Sequence, residues 1–290
     1  MMTRLTVAGL ALVLGGALAI AACSPLRTFD AVMPKDGSSR KVAGDVAYGE
    51  GPRRMLDIYA PVDRASGGKL PIIVFFYGGS WADGTREGYH FAGRALAGQG
   101  FLTIVPDYRL VPEVRFPGFL QDCAAAVHWA RAHAAQYGGD PDRIVLVGHS
   151  AGAYNAAMLA LDPQWLGADR AAVRGFAGLA GPYDFLPLKG DVVERTFGAW
   201  PRADETQPIH YASASSPPTL LLHGGEDGTV WPKNSINLSR RLKAAGTESE
   251  LRVYPKTGHV GIVTGLAKPF RGDVPVLKDI AAFAHRVTAK

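Results

Sequence analysis

A serine between two glycines is the residue of this chain best placed to act as a nucleophile. Ser150 lies in the pentapeptide Gly148-His149-Ser150-Ala151-Gly152, directly after the apolar run 144–147 and before an alanine-rich stretch. A strand, a Gly-x-Ser-x-Gly turn and a helix together form a nucleophile elbow, whose tight turn exposes the serine side chain. The motif alone can arise by chance, so its interpretation depends on the partners that a reactive serine needs.

Those partners are a base and an acid, and both follow Ser150 along the chain. A serine reacts readily only when a base, usually a histidine held by a carboxylate, takes its proton. Asp227 follows the predicted strand 219–222, and His259 follows the predicted strand 250–254. Because the carboxyl ends of parallel strands meet at one edge of a sheet, we expect both side chains near Ser150.

Other side chains compete for the two roles. Glu226 and Asp184 are the alternative acids, and Asp184 also follows a predicted strand. His223 ends a strand but precedes Asp227 and Glu226. In proteins that use a nucleophile elbow, the order along the chain is serine, acid, histidine. His149 lies inside the pentapeptide and is expected to point away from the serine. Asp227 and His259 are therefore the predicted partners.

Acyl transfer also needs backbone N–H groups that stabilise the negative oxygen of the intermediate. One donor is expected from Ala151, the residue after the nucleophile. The others are expected from Gly79 and Ser80, in the glycine-rich segment that follows the predicted strand 72–76. Paired glycines let backbone amides approach a ligand closely because no side chain intervenes.

Five motifs in sequence order resemble those of α/β-hydrolase serine esterases of the hormone-sensitive-lipase and carboxylesterase-like group. The resemblance implies a triad of Ser150, Asp227 and His259 and an oxyanion hole of Gly79, Ser80 and Ala151. It also implies hydrolysis of carboxylic esters through an acyl-enzyme, without a cofactor or metal. The motifs are Tyr77-Gly78-Gly79-Ser80-Trp81, Asp107-Tyr108-Arg109-Leu110-Val111-Pro112-Glu113, Gly148-His149-Ser150-Ala151-Gly152, Asp227-Gly228-Thr229-Val230 and Gly258-His259.

Two residues of the glycine-rich segment depart from the pattern of this group. Tyr77 replaces the usual histidine and is expected to hold the segment through its hydroxyl, and Ser80 replaces the third glycine. Such a triad does not distinguish esters from amides, so an arylformamidase-like amide hydrolase is the alternative within enzymes. The alternative from another class is a non-catalytic envelope lipoprotein that keeps the fold as a binding module.

Strand and helix patterns alternate along most of the chain, which indicates an α/β fold with a mainly parallel sheet and helices on both faces. The catalytic domain is predicted over 44–290, with a possible small lid over 183–218 that suits small, soluble esters. The predicted strands are 56–59, 72–76, 101–105, 144–147, 175–179, 219–222 and 250–254, and the predicted helices are 88–98, 117–137, 151–162, 234–245 and 274–287.

The N-terminus has the zones of an export signal. Arg4 precedes an uncharged apolar stretch, and residues 18–23 resemble the lipobox of bacterial lipoproteins. This predicts a signal peptide over 1–22, a lipid on Cys23, a tether over 23–43 and a location in the bacterial cell envelope. A plain signal peptide with a periplasmic or secreted product is the alternative. Cys123 is predicted to face the core.

Composition excludes some other classes of protein. The formal net charge is +5, and no block of five or six basic residues occurs, so nucleic-acid binding is not expected. No cluster of histidine, cysteine or acidic residues has the spacing of metal ligands. The expected partners are thus a small-molecule ester and, through Cys23, a membrane, whereas the oligomeric state stays open.

Overall fold

The computed structural model of the protein describes residues 25–63 and 68–289. The predicted signal peptide over 1–22 and the predicted lipidation site at Cys23 lie outside these residues. None of the described helices is both long enough and apolar enough to cross a bilayer.

The centre of the fold is an eight-stranded sheet, within the described residues, in the order β1-β2-β4-β3-β5-β6-β7-β8. β1 and β2 run antiparallel to their neighbours, and the remaining strands pair in parallel. The inner strands are buried on both faces, which explains their continuous apolar runs. The strands are β1 Ser39–Ala47, β2 Met55–Pro61, β3 Leu70–Phe76, β4 Leu102–Pro106, β5 Gly139–His149, β6 Val173–Leu179, β7 Thr219–Gly224 and β8 Ser249–Tyr254.

Helices follow most of the parallel strands, as the alternating pattern predicts. The five predicted helices are present with small shifts at their ends, and Cys123 lies fully buried in one of them. The helices are α1 Pro25–Val32, α2 His90–Ala97, α3 Gly118–His133, α4 Ala151–Leu161, α5 Asp191–Phe197, α6 Lys233–Ala244, α7 His259–Thr264 and α8 Val276–Val287. The α/β fold with a mainly parallel sheet is confirmed.

The prediction of a tether over 23–43 is wrong for residues 25–43, the part of this range that the structure describes. Residues 25–32 form α1, and β1 begins at Ser39. The Phe29 ring packs edge-on against Phe91 with 5.2 Å between centroids, and Asp30 Oδ1 accepts a hydrogen bond from the Phe91 backbone N at 2.7 Å. The Arg271 guanidinium pairs with both carboxylate oxygens of Asp36. α1 is short and β1 is a polar edge strand, so neither produces a long periodic pattern.

The segment 183–218, predicted as a possible lid, is built on the same core as the rest of the domain. It contains α5 and two short 3-10 turns. Phe197 at the end of α5 is fully buried, and its ring lies 4.8 Å from that of Trp81 and 5.3 Å from that of Tyr154. The segment therefore forms a packed wall beside the carboxyl edge of the sheet.

Candidate active site

Ser150 occupies a sharp turn between β5 and α4. Its backbone has φ 53° and ψ −122°, an unusual conformation for a residue with a side chain, and its N–H donates to the Leu179 carbonyl at 2.8 Å. The glycines on either side are required sterically. A Cβ on Gly148 would lie 2.2 Å from the Gly152 carbonyl oxygen, and one on Gly152 would lie 2.1 Å from that of Phe76. The turn therefore has the geometry of the predicted elbow.

A continuous chain of hydrogen bonds joins Ser150, His259 and Asp227. His259 Nε2 lies 2.9 Å from Ser150 Oγ, and His259 Nδ1 lies 2.7 Å from Asp227 Oδ2. The Asp227 carboxylate accepts from Nδ1–H, which leaves Nε2 free to accept the serine proton. The Asp227 side chain is fully buried and that of His259 is 13% exposed. The imidazole is thus held between the two groups.

The Asp227 carboxylate is fixed by its own turn. Its Oδ1 accepts hydrogen bonds from the backbone N–H groups of Thr229 at 2.9 Å and Val230 at 2.8 Å. His223 Nε2 donates to the Val230 carbonyl at 2.7 Å and lies 3.3 Å from Asp227 Oδ2. Burial lowers the pKa of His223, which favours its neutral form. Asp227 Oδ2 therefore faces both histidines, and its shorter contact, at 2.7 Å, is the one with His259.

The alternative acids lie elsewhere. Asp184 Oδ2 accepts a hydrogen bond from the Asn237 side-chain amide at 2.7 Å, and Glu226 has an exposed side chain. The structure brings Asp227, rather than either of them, to His259.

The glycine-rich segment after β3 presents its backbone towards Ser150. The Gly78 N–H donates to the Tyr89 hydroxyl at 3.2 Å, whereas no described residue accepts from the amides of Gly79 and Ser80. Gly79 has φ +138°, and a Cβ there would lie 2.1 Å from the Asp83 carbonyl oxygen. Ser80 and Ala151 both line the cavity beside Ser150. Ala151 is the first residue of α4, so its N–H has no acceptor within the helix.

Tyr77 holds this segment as predicted. Its hydroxyl donates to Asp107 Oδ1 at 2.8 Å and accepts from Arg53 Nη2 at 2.8 Å, while its carbonyl accepts from the Tyr108 hydroxyl at 2.7 Å. Asp107 is also paired with Arg86 inside the core. Asp107 and Tyr108, the first two residues of their motif, therefore hold the start of the glycine-rich segment in place through hydrogen bonds to Tyr77.

His149 contributes to the site in a way that sequence reasoning missed. Its buried ring lies under His259, with 5.1 Å between ring centroids, and its Nε2 lies 3.2 Å from the His259 carbonyl oxygen. Its Nδ1 lies 3.4 Å from the hydroxyl of Tyr89, the acceptor of the Gly78 N–H. His149 thus links the elbow, the histidine loop and the glycine-rich segment. No local pattern in the sequence signals this link, because Tyr89 and His259 are distant along the chain.

A cavity of about 490 Å³ opens beside Ser150. Its walls are mostly apolar and come from the glycine-rich segment, from 182–193 and from the loop between β7 and α6. The lining residues are Ser80, Trp81, Ser150, Ala151, Pro182, Phe185, Leu186, Pro187, Lys189, Val192, Val193, Thr229, Val230, Trp231, Lys233 and Asn234. In the ranges 25–63 and 68–289, no group of three or more histidine, cysteine or acidic side chains could hold a metal ion.

Sequence comparison relates the chain to named hydrolases. Residues 56–242 match the BD-FAE family. The chain is 32% identical to "Esterase LipC" of Mycobacterium tuberculosis over 74% of its own length and 58% of that protein. It is 33% identical to "Probable carboxylic ester hydrolase LipM" of the same organism over 83% of its length and 62% of that protein. The chain therefore spans about three fifths of these relatives.

Solved structures share the fold at lower sequence identity. Esterase B of Lactobacillus rhamnosis superposes with a TM-score of 0.79 and 21% identity over 97% of this chain and 96% of that one. A truncated carbohydrate esterase from gut microbiota gives a TM-score of 0.75 and 22% identity over 89% and 100% of the two chains. Together with the sequence match, these likenesses confirm the resemblance drawn from the motifs: the chain belongs to the BD-FAE family and has the α/β-hydrolase fold.

Proposed function

We propose that the protein is a carboxylic ester hydrolase that uses Ser150, His259 and Asp227 as its catalytic triad. The observation that carries the proposal is the hydrogen-bonded chain from Asp227 through His259 to Ser150, which ends at the wall of an apolar cavity. The names of the relatives LipC and LipM, an esterase and a probable carboxylic ester hydrolase, support the same reaction.

In the first half of the reaction, Ser150 Oγ attacks the ester carbonyl while His259 Nε2 takes its proton. Asp227 holds the imidazole in the reactive tautomer and stabilises the positive charge that forms on it. His259 then gives the proton to the departing alcohol, and an acyl group remains on Ser150. Water activated by His259 removes that acyl group in the second half of the reaction, which regenerates the serine.

We assign to the backbone N–H groups of Gly79, Ser80 and Ala151 the role of donating hydrogen bonds to the negative oxygen of both tetrahedral intermediates. Removing one such donor typically costs about 3 kcal/mol of transition-state stabilisation. The unengaged amides of the glycine-rich segment and the first amide of α4 support this assignment. The cavity of about 490 Å³ suits an ester with a small or medium-sized acyl or alcohol part.

Replacing the nucleophile tests the proposal. Ser150→Ala is expected to lower kcat for p-nitrophenyl acetate on the order of a thousandfold or more, because the acyl-enzyme can no longer form. Ser215→Ala, at an exposed serine outside the cavity, is the matched control and should retain full turnover. Undiminished turnover by a folded Ser150→Ala variant would refute the assignment.

A lipid anchor at Cys23 and a location in the bacterial cell envelope are part of the proposal. They are supported by the charged start, the apolar stretch and the lipobox-like residues 18–23 of the sequence. In a bacterial host, the mature wild-type chain should begin at Cys23, carry a lipid mass and sediment with membranes. Cys23→Ser should abolish the lipid mass, and a wild-type chain without lipid would contradict the anchor.

A further inference from the structure

The charged side chains that line the cavity are both positive. Lys189 and Lys233 line it, and no carboxylate is among the lining residues. Both lysines are exposed, and neither forms a salt bridge with any residue that the structure describes. Two ammonium groups without carboxylate partners on a mostly apolar cavity favour a negatively charged ligand.

The two lysines come from different walls of the cavity. Lys189 lies between Phe185 and Val192 in the segment that packs beside the sheet edge, and Lys233 is the first residue of α6. Lys233 Nζ lies 5.3 Å from the ring centroid of Trp231, whose indole is 61% exposed. This cation–π contact places the ammonium beside a flat apolar surface. A ligand with an apolar body and an anionic end can therefore contact both.

We propose that this cavity selects esters that carry a negatively charged group, such as a carboxylate, on an apolar acyl or alcohol part. The proposal rests on the ester hydrolysis proposed above and adds the substrate class. Lys189 and Lys233 pair with the anion, and the apolar walls hold the rest of the substrate. Because both lysines are exposed, each ion pair with the anion is modest in strength, and the two like charges also repel cationic esters.

A pair of substrates that are similar in shape but differ in charge tests the inference. 4-Acetoxybenzoate and 4-acetoxybenzamide each present one acetyl ester on a substituted phenol, and the first also carries a carboxylate, whereas the second is neutral. The measurement is the ratio of kcat/KM for the anionic ester to that for the neutral one, at low salt. The variants are Lys189→Gln, Lys233→Gln and the double substitution, and near-native circular dichroism is expected because both side chains are exposed.

The double substitution is expected to lower this ratio on the order of tenfold, and each single substitution by less. Added salt should lower the wild-type ratio because it screens exposed charges. Lys243→Gln is the matched control: Lys243 is an exposed lysine in the last turn of α6, outside the cavity, and its substitution should leave the ratio unchanged.

A ratio that stays within about twofold of the wild-type value in the double variant would overturn the inference. If the wild-type protein hydrolyses the neutral ester but shows no dependence on the lysines, only the substrate class fails. If it hydrolyses p-nitrophenyl acetate but neither of these esters, the substrate class fails as well. If it hydrolyses none of the three, the proposed function itself fails, and the inference fails with it.

Discussion

At the scale of single residues, the site depends on a histidine outside the triad as well as on the one inside it. His149 is buried, and burial, followed by the nearby His259, lowers its pKa to about 3. It is therefore neutral at physiological pH, with an N–H directed at the His259 carbonyl oxygen and an acceptor nitrogen facing the Tyr89 hydroxyl. A neutral ring can hold the backbone of His259 without adding a charge beside the imidazole that must become positive.

Replacing His149 tests this positioning role. His149→Phe keeps a flat ring but removes both hydrogen bonds, so His259 should lose part of its alignment with Ser150. We expect kcat to fall on the order of tenfold with little change in KM. Tyr89→Phe, which removes one hydroxyl of the same network, should cause a smaller fall. An unchanged kcat in a folded His149→Phe variant would show that the residue only fills space.

At the scale of elements, four loops at the carboxyl edge of the sheet bring the site together. Ser80 follows β3, Ser150 follows β5, Asp227 follows β7 and His259 follows β8. β3 and β5 are neighbours in the sheet, as are β7 and β8. The parallel register therefore converts a wide spacing along the chain into direct contact between side chains.

The N-terminal helix is also an integral element of the fold rather than a tether. Phe29→Ala should lower the free energy of unfolding by about 2 kcal/mol, because Phe29 packs on Phe91 and Phe270. Val32→Ala in the same helix is the control, since Val32 is 66% exposed and should change stability by less than about 0.5 kcal/mol. Urea unfolding measures both variants. If Phe29→Ala changes the free energy of unfolding as little as Val32→Ala does, α1 does not contribute to the stability of the folded domain.

Motif order makes much of the site predictable from the sequence. Ser150, Asp227 and His259 follow strands with strong apolar runs, so the sequence alone places them at one edge of the sheet. It does not predict the position of His149, because the contacts of this residue with Tyr89 and His259 depend on how distant loops fold back. It does not predict α1 and β1 either, because contacts such as those of Asp30 with the Phe91 N–H and of Ser39 with the Arg94 carbonyl join residues that are far apart in sequence.

At the scale of the whole molecule, the buried neutral histidines link stability to pH. In the unfolded chain His149 has the ordinary histidine pKa of about 6.5, whereas in the folded protein its pKa is about 3. Between these values the unfolded chain binds more protons, so acidification favours unfolding. His223, whose pKa is also lowered by burial, acts in the same direction.

Stability should therefore fall as the pH is lowered from 7 to 5. His149 alone should account for roughly 2 kcal/mol of this loss, because over this pH range the unfolded chain binds a proton at His149 and the folded protein does not. Urea unfolding of the wild-type protein and of His149→Phe at both pH values measures the contribution. Between pH 7 and pH 5, the free energy of unfolding of His149→Phe should fall by about 2 kcal/mol less than that of the wild type. Equal falls in the two proteins would contradict a neutral, buried His149.

The central claim, that Ser150 is an activated nucleophile, is tested most directly by a fluorophosphonate probe followed by mass spectrometry of the labelled peptide. We expect one phosphonyl group per chain, bonded to Ser150 Oγ after loss of fluoride. No label should appear on Ser150→Ala. A folded wild-type protein that stays unlabelled, or that is labelled at another residue while Ser150 remains free, would contradict the account.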